Sequence, residues 1–508
     1  MSIAHRRGGG RSGVEIRVVL DTGTARLPLH VQVYRQLREH ILRGALRPGT
    51  RLPSARTLAA DLRVSRNTVE AALAQLTVEG FLERRVGAGT VVAGSVREVV
   101  PFAAVAGDES SALPAPSGPP SASLSVRGRL LATLGITEIE EDRVSTPGAS
   151  DARGFPSDAW QRLLARRARD GGYAMLRASD AFGVRALRDA IADYVRLTRG
   201  VRCDGSQVVI VSSTQQAIDL ASRLLLDPGD GAAVEEPCYP SARAGLRAAG
   251  AVVHHIPVDA DGIQVEALAT HDTVRLVYVT PSHQYPLGVT MSLARRLALL
   301  QWAQSRRAWI MEDDYDSEFR YAGRPIAALQ GLDTHGCVLY VGTWNKVLFN
   351  GLRVAYLVVP PALVEPFAAA RRLTDGFSSP MLQTVLADFL AGGHFAAYLR
   401  QARAHFEQCR DALVQSIARE WGDVARVGPH DTGLHLVVHL PDHIDDVRLA
   451  RRAVGHGVGV GPLSRHYAAA SSARGLLLSY GGATPASIER GVAALAPHVR
   501  EAVAVRRR

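Results

Sequence analysis

Lysine is almost missing from this sequence. Its 508 residues carry 59 basic side chains, of which Lys346 is the only lysine and the other 58 are arginine. A globular chain of this length ordinarily holds on the order of tens of lysines. Coding bias explains the exchange wherever a generic cation suffices. Guanidinium stays protonated, however, whereas a buried amine can lose its proton and react. Chemistry that needs an amine therefore falls to Lys346 or to the N-terminus.

Other absences narrow the classes further. The four cysteines (Cys203, Cys238, Cys337, Cys409) lie far apart, with no CxxC pair and no histidine at zinc spacing. That excludes a disulfide framework and a zinc module, and predicts reduced thiols in the cytoplasm. No uncharged apolar run reaches the roughly 18 residues a spanning helix needs. The opening MSIAHRRGGGRSG has no apolar core of a signal peptide, so neither secretion nor membrane insertion is expected. Its Gly8–Gly10 run follows no strand and is no phosphate loop. The adjacent His254 and His255 point to opposite faces of a strand and make poor joint metal ligands. The VGHGVGVGP run near residue 454 alternates glycine in a strand-like way and is no nucleotide loop.

What is present is unevenly placed. Residues 1–97 hold 16 arginines and 7 acids, while the remainder holds 43 basic and 42 acidic residues. Nearly all the excess positive charge sits in one fifth of the chain, which points to a polyanionic partner for that segment. Composition suggests a flexible lead over 1–26, a helical and hairpin unit over 27–94, and a linker over 95–150 rich in Pro, Ala and Ser. From 151 to 508, helices alternate with short apolar strands: VVIVSS at 208, GAAVEEP at 231, VRLVYVTP at 274, AWIMEDD at 308 and VLYVGT at 338. That alternation predicts a largely parallel α/β sheet.

In the basic unit, Leu29, Val33, Leu37 and Ile41 form one apolar stripe of a first helix. Ser54 can cap a second helix and Ser65 a third, which carries Val69, Leu73 and Leu76 inward. Arg66, Asn67 and Thr68 then occupy an exposed first turn, where a helix N-terminus meets phosphates and base edges. Residues 81–92 read as two strands with a glycine-bearing tip. LPSARTLAADLRVSRNTV, EGFLERR and GAGT resemble the winged helix-turn-helix of the GntR family over about 70 residues. The resemblance implies double-stranded DNA as partner and Arg56, Ser65, Arg66, Asn67, Thr68 and Gly89 as contacts. For Arg56 and Arg66 the plainer reading is a solvated helix face, and for Asn67 and Thr68 it is capping alone.

Lys346 lies in a loop just after the strand VLYVGT, with Arg353 seven residues on. A lysine at a strand's carboxyl end is placed for a ligand at the sheet's edge. Glu312-Asp313-Asp314-Tyr315-Asp316 ends another strand, where a carboxylate could hold the ring nitrogen of pyridoxal phosphate (PLP) and make the ring an electron sink. Ser212-Ser213-Thr214 passes from strand to helix, offering N–H groups and hydroxyls to a phosphate. Plainer readings remain for each: a metal cluster or solvated loop for Asp313, packing for Tyr239, a surface ion pair for Arg353.

This set resembles the fold-type I aminotransferases. FPSDAW, SSTQQAIDL, EEPCYPSARAGL, TPSHQYPLGV, MEDDYDSEFRYAGRPIAALQ, GTWNKVLFNGLRVAYLVVP and VGVGPLSRHY are similar to the MocR subfamily of bacterial regulators. The resemblance covers residues 27–94 and 153–500. It implies Lys346 as the covalent PLP lysine, Asp313 at the pyridine nitrogen, Tyr315 at the ring hydroxyl and Tyr239 near the ring. Ser213, Thr214, Thr343 and Arg353 are implied near the phosphate, and a head-to-tail homodimer is implied for the whole.

Three departures stand out. Ser-Ser-Thr replaces the family's frequent Ser-Gly-Ser turn. Ala178 replaces an aromatic ahead of Asp180 and Gly183. In LLLSYGG, Leu477 stands where enzymes of this fold carry the arginine that clamps a substrate carboxylate; Arg465 and Arg474 are the candidate substitutes, though neither aligns with that position. The sequence therefore reads as a PLP-dependent DNA-binding transcriptional regulator that senses PLP, as in the subfamily members controlling vitamin B6 synthesis, or a PLP–amine adduct. A GABA-, taurine- or D-alanine-type ligand is the competing effector. An active aminotransferase with an accessory N-terminal domain is the alternative function.

Overall fold

The computed structural model describes residues 18–21, 27–85, 89–96, 124–134, 154–172, 180–323, 326–455, 459–468, 471 and 473–504. The chain divides into two compact units, Met1–Ala122 and Ser123–Arg508.

In the first unit, α1 (Leu29–Leu42) buries Val33, Leu37 and Ile41 at a spacing of four. α2 (Ala55–Leu62) begins where Ser54 Oγ accepts from Thr57 N at 3.1 Å. It ends at Arg63, whose left-handed φ of +53° turns the chain sharply into α3 (Arg66–Val78). Strands β1 (Leu82–Arg85) and β2 (Gly89–Val92) pair antiparallel and close the unit. Leu58, Val69, Leu73, Leu76, Leu82 and Val92 share one core with the α1 stripe. The wing tip 86–88 lies outside the described residues.

The second unit is built on a mixed sheet. Its strands are β3 (Val208–Val211), β4 (Gly231–Glu236), β5 (Val252–Asp259), β6 (Gly262–Ile263), β7 (Val274–Val279), β8 (Trp309–Asp314), β9 (Val338–Thr343) and β10 (Ala355–Val358). Their spatial order is β3-β10-β9-β8-β7-β4-β5-β6. The neighbours from β9 to β5 are parallel; β10 runs antiparallel to both β3 and β9. β3 therefore points the same way as β9, and the carboxyl ends of β3, β4, β7, β8 and β9 share one edge. Alternate residues bury on opposite faces, as in Val208 and Ile210 against Val209 and Val211.

A second, antiparallel sheet in the order β11-β12-β14-β13 joins β11 (Arg426–Val427), β12 (His435–Leu440), β13 (Gly461–Pro462) and β14 (Arg474–Ser479). The run near residue 454 begins at the end of the helix Asp446–Gly455 and closes on the short strand Gly461–Pro462, while 456–458 lie outside the described residues. The stretch expected as linker contains the helix Val126–Leu134, none of whose residues is buried; Ser125 Oγ accepts from Gly128 N at its start. The cysteines are free thiols, two of them buried.

Candidate functional site: a helix-turn-helix face and a lysine at the sheet edge

In the first unit, Ser65 Oγ accepts from Thr68 N at 3.1 Å and lies 2.8 Å from Thr68 Oγ1. Ser65 thus caps α3, and Thr68 lies in its first turn. Arg56, Ser65, Arg66 and Asn67 are exposed, and Arg66 pairs only with Glu70 one turn on, at 3.0 Å. An exposed pair of that kind contributes little to stability, so the guanidinium is available for exchange onto a phosphate. Gly89 is exposed at the start of β2 with φ +80°, a conformation that favours glycine.

In the second unit, the five strand ends bring the expected residues to one edge. β9 ends at Thr343, whose Oγ1 accepts from Asn345 N at 3.2 Å. Asn345 Nδ2 donates to Ser212 O at 3.1 Å and its Oδ1 accepts from Val354 N at 3.0 Å. That amide staples the loop of Lys346 to the turn after β3. Trp344, Val347 and Leu348 bury around it. Lys346 itself is half-buried, and burial pulls its proton affinity below the ordinary amine range, opposed by the charge of Asp316. Ser213 caps the helix Thr214–Leu225, accepting from Gln216 N at 3.3 Å. Arg353 is exposed at a left-handed φ of +54°. Ala178 lies outside the described residues.

Asp313, at the end of β8, is buried. Its Oδ2 accepts from Tyr278 Oη at 2.5 Å, while Oδ1 has no hydrogen-bond partner. Burial pushes its carboxyl up to about 7, helped by the charges of Asp314 and Asp316, against hydrogen bonding from Tyr278 and, more weakly, from the Thr214 side chain. A buried carboxyl group with one oxygen short of a close partner and two further acids beside it fits a cationic ring N–H of PLP. Thr214 is thus set beside this carboxylate as well as at the helix start expected to face a phosphate. Tyr315 Oη lies 3.0 Å from both the carbonyl oxygen and Nδ1 of His283. Tyr239 opens the helix Pro240–Ala249 and meets the Tyr285 ring edge-on at 5.6 Å.

Comparison with known proteins fits both halves. Residues 29–92 match the bacterial regulatory proteins of the gntR family, and residues 149–495 match aminotransferase class I and II. Over 479 residues the chain is 40% identical to the probable rhizopine catabolism regulatory protein MocR of Rhizobium meliloti, across 94% of this chain and 95% of that one. The chain belongs to the MocR-type regulators of the gntR family. This MocR-type chain is accordingly a helix-turn-helix transcriptional regulator with an aminotransferase-like domain. It is 29% identical to the pyridoxine biosynthesis transcriptional regulator PdxR of Corynebacterium glutamicum, over 89% of this chain and 91% of that one. Among solved structures it is similar to LysN, the alpha-aminoadipate aminotransferase of Thermus thermophilus, with 26% identity and a TM-score of 0.69, over 74% of this chain and 98% of that one. Class I and II aminotransferases are PLP-dependent as a fold family. Among the described residues no helix is long and apolar enough to cross a membrane.

Sequence reasoning about this MocR-type domain passed over several residues at the same edge. His283 Nδ1 lies 3.0 Å from both carboxylate oxygens of Asp316, and the His435 ring lies tilted beside His283 at 4.8 Å. A nitrogen from each imidazole and an Asp316 oxygen lie within 4.8 Å of one another, a set able to hold a metal ion. These residues sat inside the runs TPSHQYPLGV and MEDDYDSEFRY, but only tertiary contact with β12 joins them. His254 and His255 go to separate partners, the His271 ring at 4.3 Å and Glu236 at 3.3 Å.

Proposed function

We propose that this regulator binds PLP at Lys346 and reports PLP, or a PLP–amine adduct, to its DNA-binding unit. The observation that carries the reading is a sole, half-buried lysine three residues past the end of β9, beside the parallel strand β8 that ends with a buried Asp313 whose Oδ1 lacks a partner. In this reading Asp313 accepts from the ring nitrogen, Tyr315 faces the ring hydroxyl and Tyr239 packs near the ring. Ser213, Thr214, Thr343 and Arg353 face the phosphate. When bound, PLP supplies an electron-accepting ring and a carbonyl carbon that amines attack. Burial lowers the proton affinity of Lys346, which favours the unprotonated amine that such a carbonyl carbon requires.

Arg56, Ser65, Arg66, Asn67, Thr68 and Gly89 form the DNA face of residues 27–94, joined to the sensing domain 151–508 by the segment 95–150. The working unit is a cytoplasmic head-to-tail homodimer that reads two half-sites. In this reading the domain senses rather than turns over substrate: Leu477, which stands where enzymes of this fold carry the carboxylate-clamping arginine, is buried with Val437, Leu463 and Tyr285. The test is an absorbance scan of the full-length chain with added PLP. A new band that is lost in Lys346→Ala supports the reading. An unchanged band in that variant, or steady transamination by the wild type, contradicts it.

A further inference from the structure

In the first unit, residues 49–52 run alongside β2. Gly49 N donates to Val92 O at 2.8 Å, Val92 N to Thr50 O at 2.9 Å and Leu52 N to Thr90 O at 2.9 Å. These bonds set Arg51 directly opposite Val91 in an antiparallel bridge. On the other side of β2, Val91 stands opposite Glu83 and Gly89 opposite Arg85. Opposite residues of an antiparallel pair project on one side, as do residues two apart along a strand. Arg51, Glu83, Arg85, Gly89 and Val91 therefore share one face of the wing. Leu82 and Val92 take the other face and join the core of the unit.

The shared face gathers positive charge at Gly89. A Cβ on that glycine would lie 3.4 Å from Arg51 Nε and 3.5 Å from Arg51 Nη2, so the guanidinium lies over the place where a side chain is missing. Arg85 starts from the residue opposite. Arg51 is exposed, and among the described residues no acid pairs with it. Arg85 Nη2 reaches Glu83 Oε1, the acid of this face, at 2.6 Å. That pair is open to solvent and contributes little, so the guanidinium is free to exchange onto a phosphate.

The tip between the two strands brings no charge of its own, because residues 86–90 read Val-Gly-Ala-Gly-Thr. The positive charge of the wing sits at its root. Arg84 stands there too, but opposite Thr90 and so on the other face. Gly89, the wing residue already placed on the DNA face, is the one that Arg51 covers.

We propose that Arg51 and Arg85 together hold one phosphate of the DNA backbone over Gly89. The inference rests on the reading of the first unit as DNA-binding and adds two residues to that face. Each guanidinium offers a planar fork of donors to phosphate oxygens, and an anion between the two offsets their mutual repulsion. The backbone bonds at Thr50 and Leu52 fix the base of Arg51 before DNA arrives. A phosphate contact positions the protein and carries no base information.

The test measures the equilibrium affinity of the full-length chain across a salt series, for a DNA fragment selected by its own binding and for a scrambled fragment. Arg51→Ala is expected to weaken both complexes by roughly tenfold at low salt. Arg51→Lys keeps the charge without the fork and is expected to recover part of that loss. The double variant Arg51→Ala/Arg85→Ala is expected to shallow the slope of log affinity against log salt by about 0.9, the share of one phosphate, whereas two separate contacts would remove about 1.8. Circular dichroism should show the N-terminal unit melting as in wild type. A drop near 1.8 overturns the shared phosphate, and no drop overturns the contact itself. A loss confined to the selected sequence marks a base contact and overturns the proposal, as does a melting temperature that falls together with affinity, which assigns Arg51 to packing. A wild-type chain that binds neither fragment defeats the DNA reading, and does so before any variant is made.

Discussion

Tyr278 donates to Oδ2 of Asp313 at 2.5 Å, and the other oxygen of the same carboxylate is left with no hydrogen-bond partner inside a buried site. Tyr278 holds one oxygen in place, and the other can still take a donor. Asp313→Asn keeps the shape and removes the charge. A hydrogen bond to a charged group is worth about 1.5–3 kcal/mol, so PLP affinity should fall roughly 10- to 100-fold in equilibrium dialysis. Tyr278→Phe removes a single neutral donor, and a loss nearer fivefold is expected from about 1 kcal/mol.

The helix-turn-helix separates stability from binding in a measurable way. Arg66 and Glu70 form an exposed i,i+4 pair, and such pairs contribute about 0.3–0.5 kcal/mol. Arg66→Ala should therefore leave thermal unfolding almost unmoved while DNA affinity drops and its salt dependence shallows by about one phosphate contact. Ser65→Ala removes the α3 cap and should cost about 1 kcal/mol, visible as an earlier melting of the N-terminal unit by circular dichroism.

A buried ion pair anchors the sheet edge. Arg199 Nε donates to Asp314 Oδ2 at 2.7 Å, Tyr340 Oη donates to the same oxygen at 2.6 Å, and Arg199 Nη2 donates to Ser282 Oγ at 2.6 Å. Removing one partner strands the other charge. Arg199→Met should destabilise the second unit by about 3–5 kcal/mol in denaturant titration; a change under 1 kcal/mol would argue that water already reaches Asp314.

His466 gives a pH signature. Its folded value is lowered to about 4, chiefly by burial, from the ordinary 6.5. Between those values the unfolded chain takes up a proton that the folded chain refuses. The histidine therefore costs stability progressively as pH falls from about 6.5 to about 4. Relative to His466→Gln, the wild type should lose about 2–3 kcal/mol across that window. The buried acids Glu235, Glu312 and Glu318, raised to about 7 mainly by burial, titrate in both proteins and cancel in the difference.

Much of this arrangement was legible because it is local. Ser54, Ser65 and the α1 stripe act within a few residues of themselves, and a strand end followed by a lysine or an acid is visible as a short apolar run with one reactive side chain after it. What escaped is non-local. β10 is four residues long and inserts antiparallel between β3 and β9, a pairing that no local period encodes. His283, Asp316 and His435 lie up to 152 positions apart and meet only because β12 closes on the main sheet's edge. The helix Val126–Leu134 was masked by the Ala, Ser and Pro of its flanks, and with no buried residue it has no apolar stripe to betray it.

The central claim is that occupation of the Lys346 site is communicated to DNA binding. The direct measurement is equilibrium affinity of the full-length chain for a DNA fragment selected by its own binding, with and without PLP, in wild type and Lys346→Ala. PLP should shift the wild-type affinity by at least about fivefold, the lower end of ordinary coupling energies, and leave Lys346→Ala unmoved. A wild-type affinity that is the same with and without PLP, at concentrations where the absorbance band is saturated, would contradict the account.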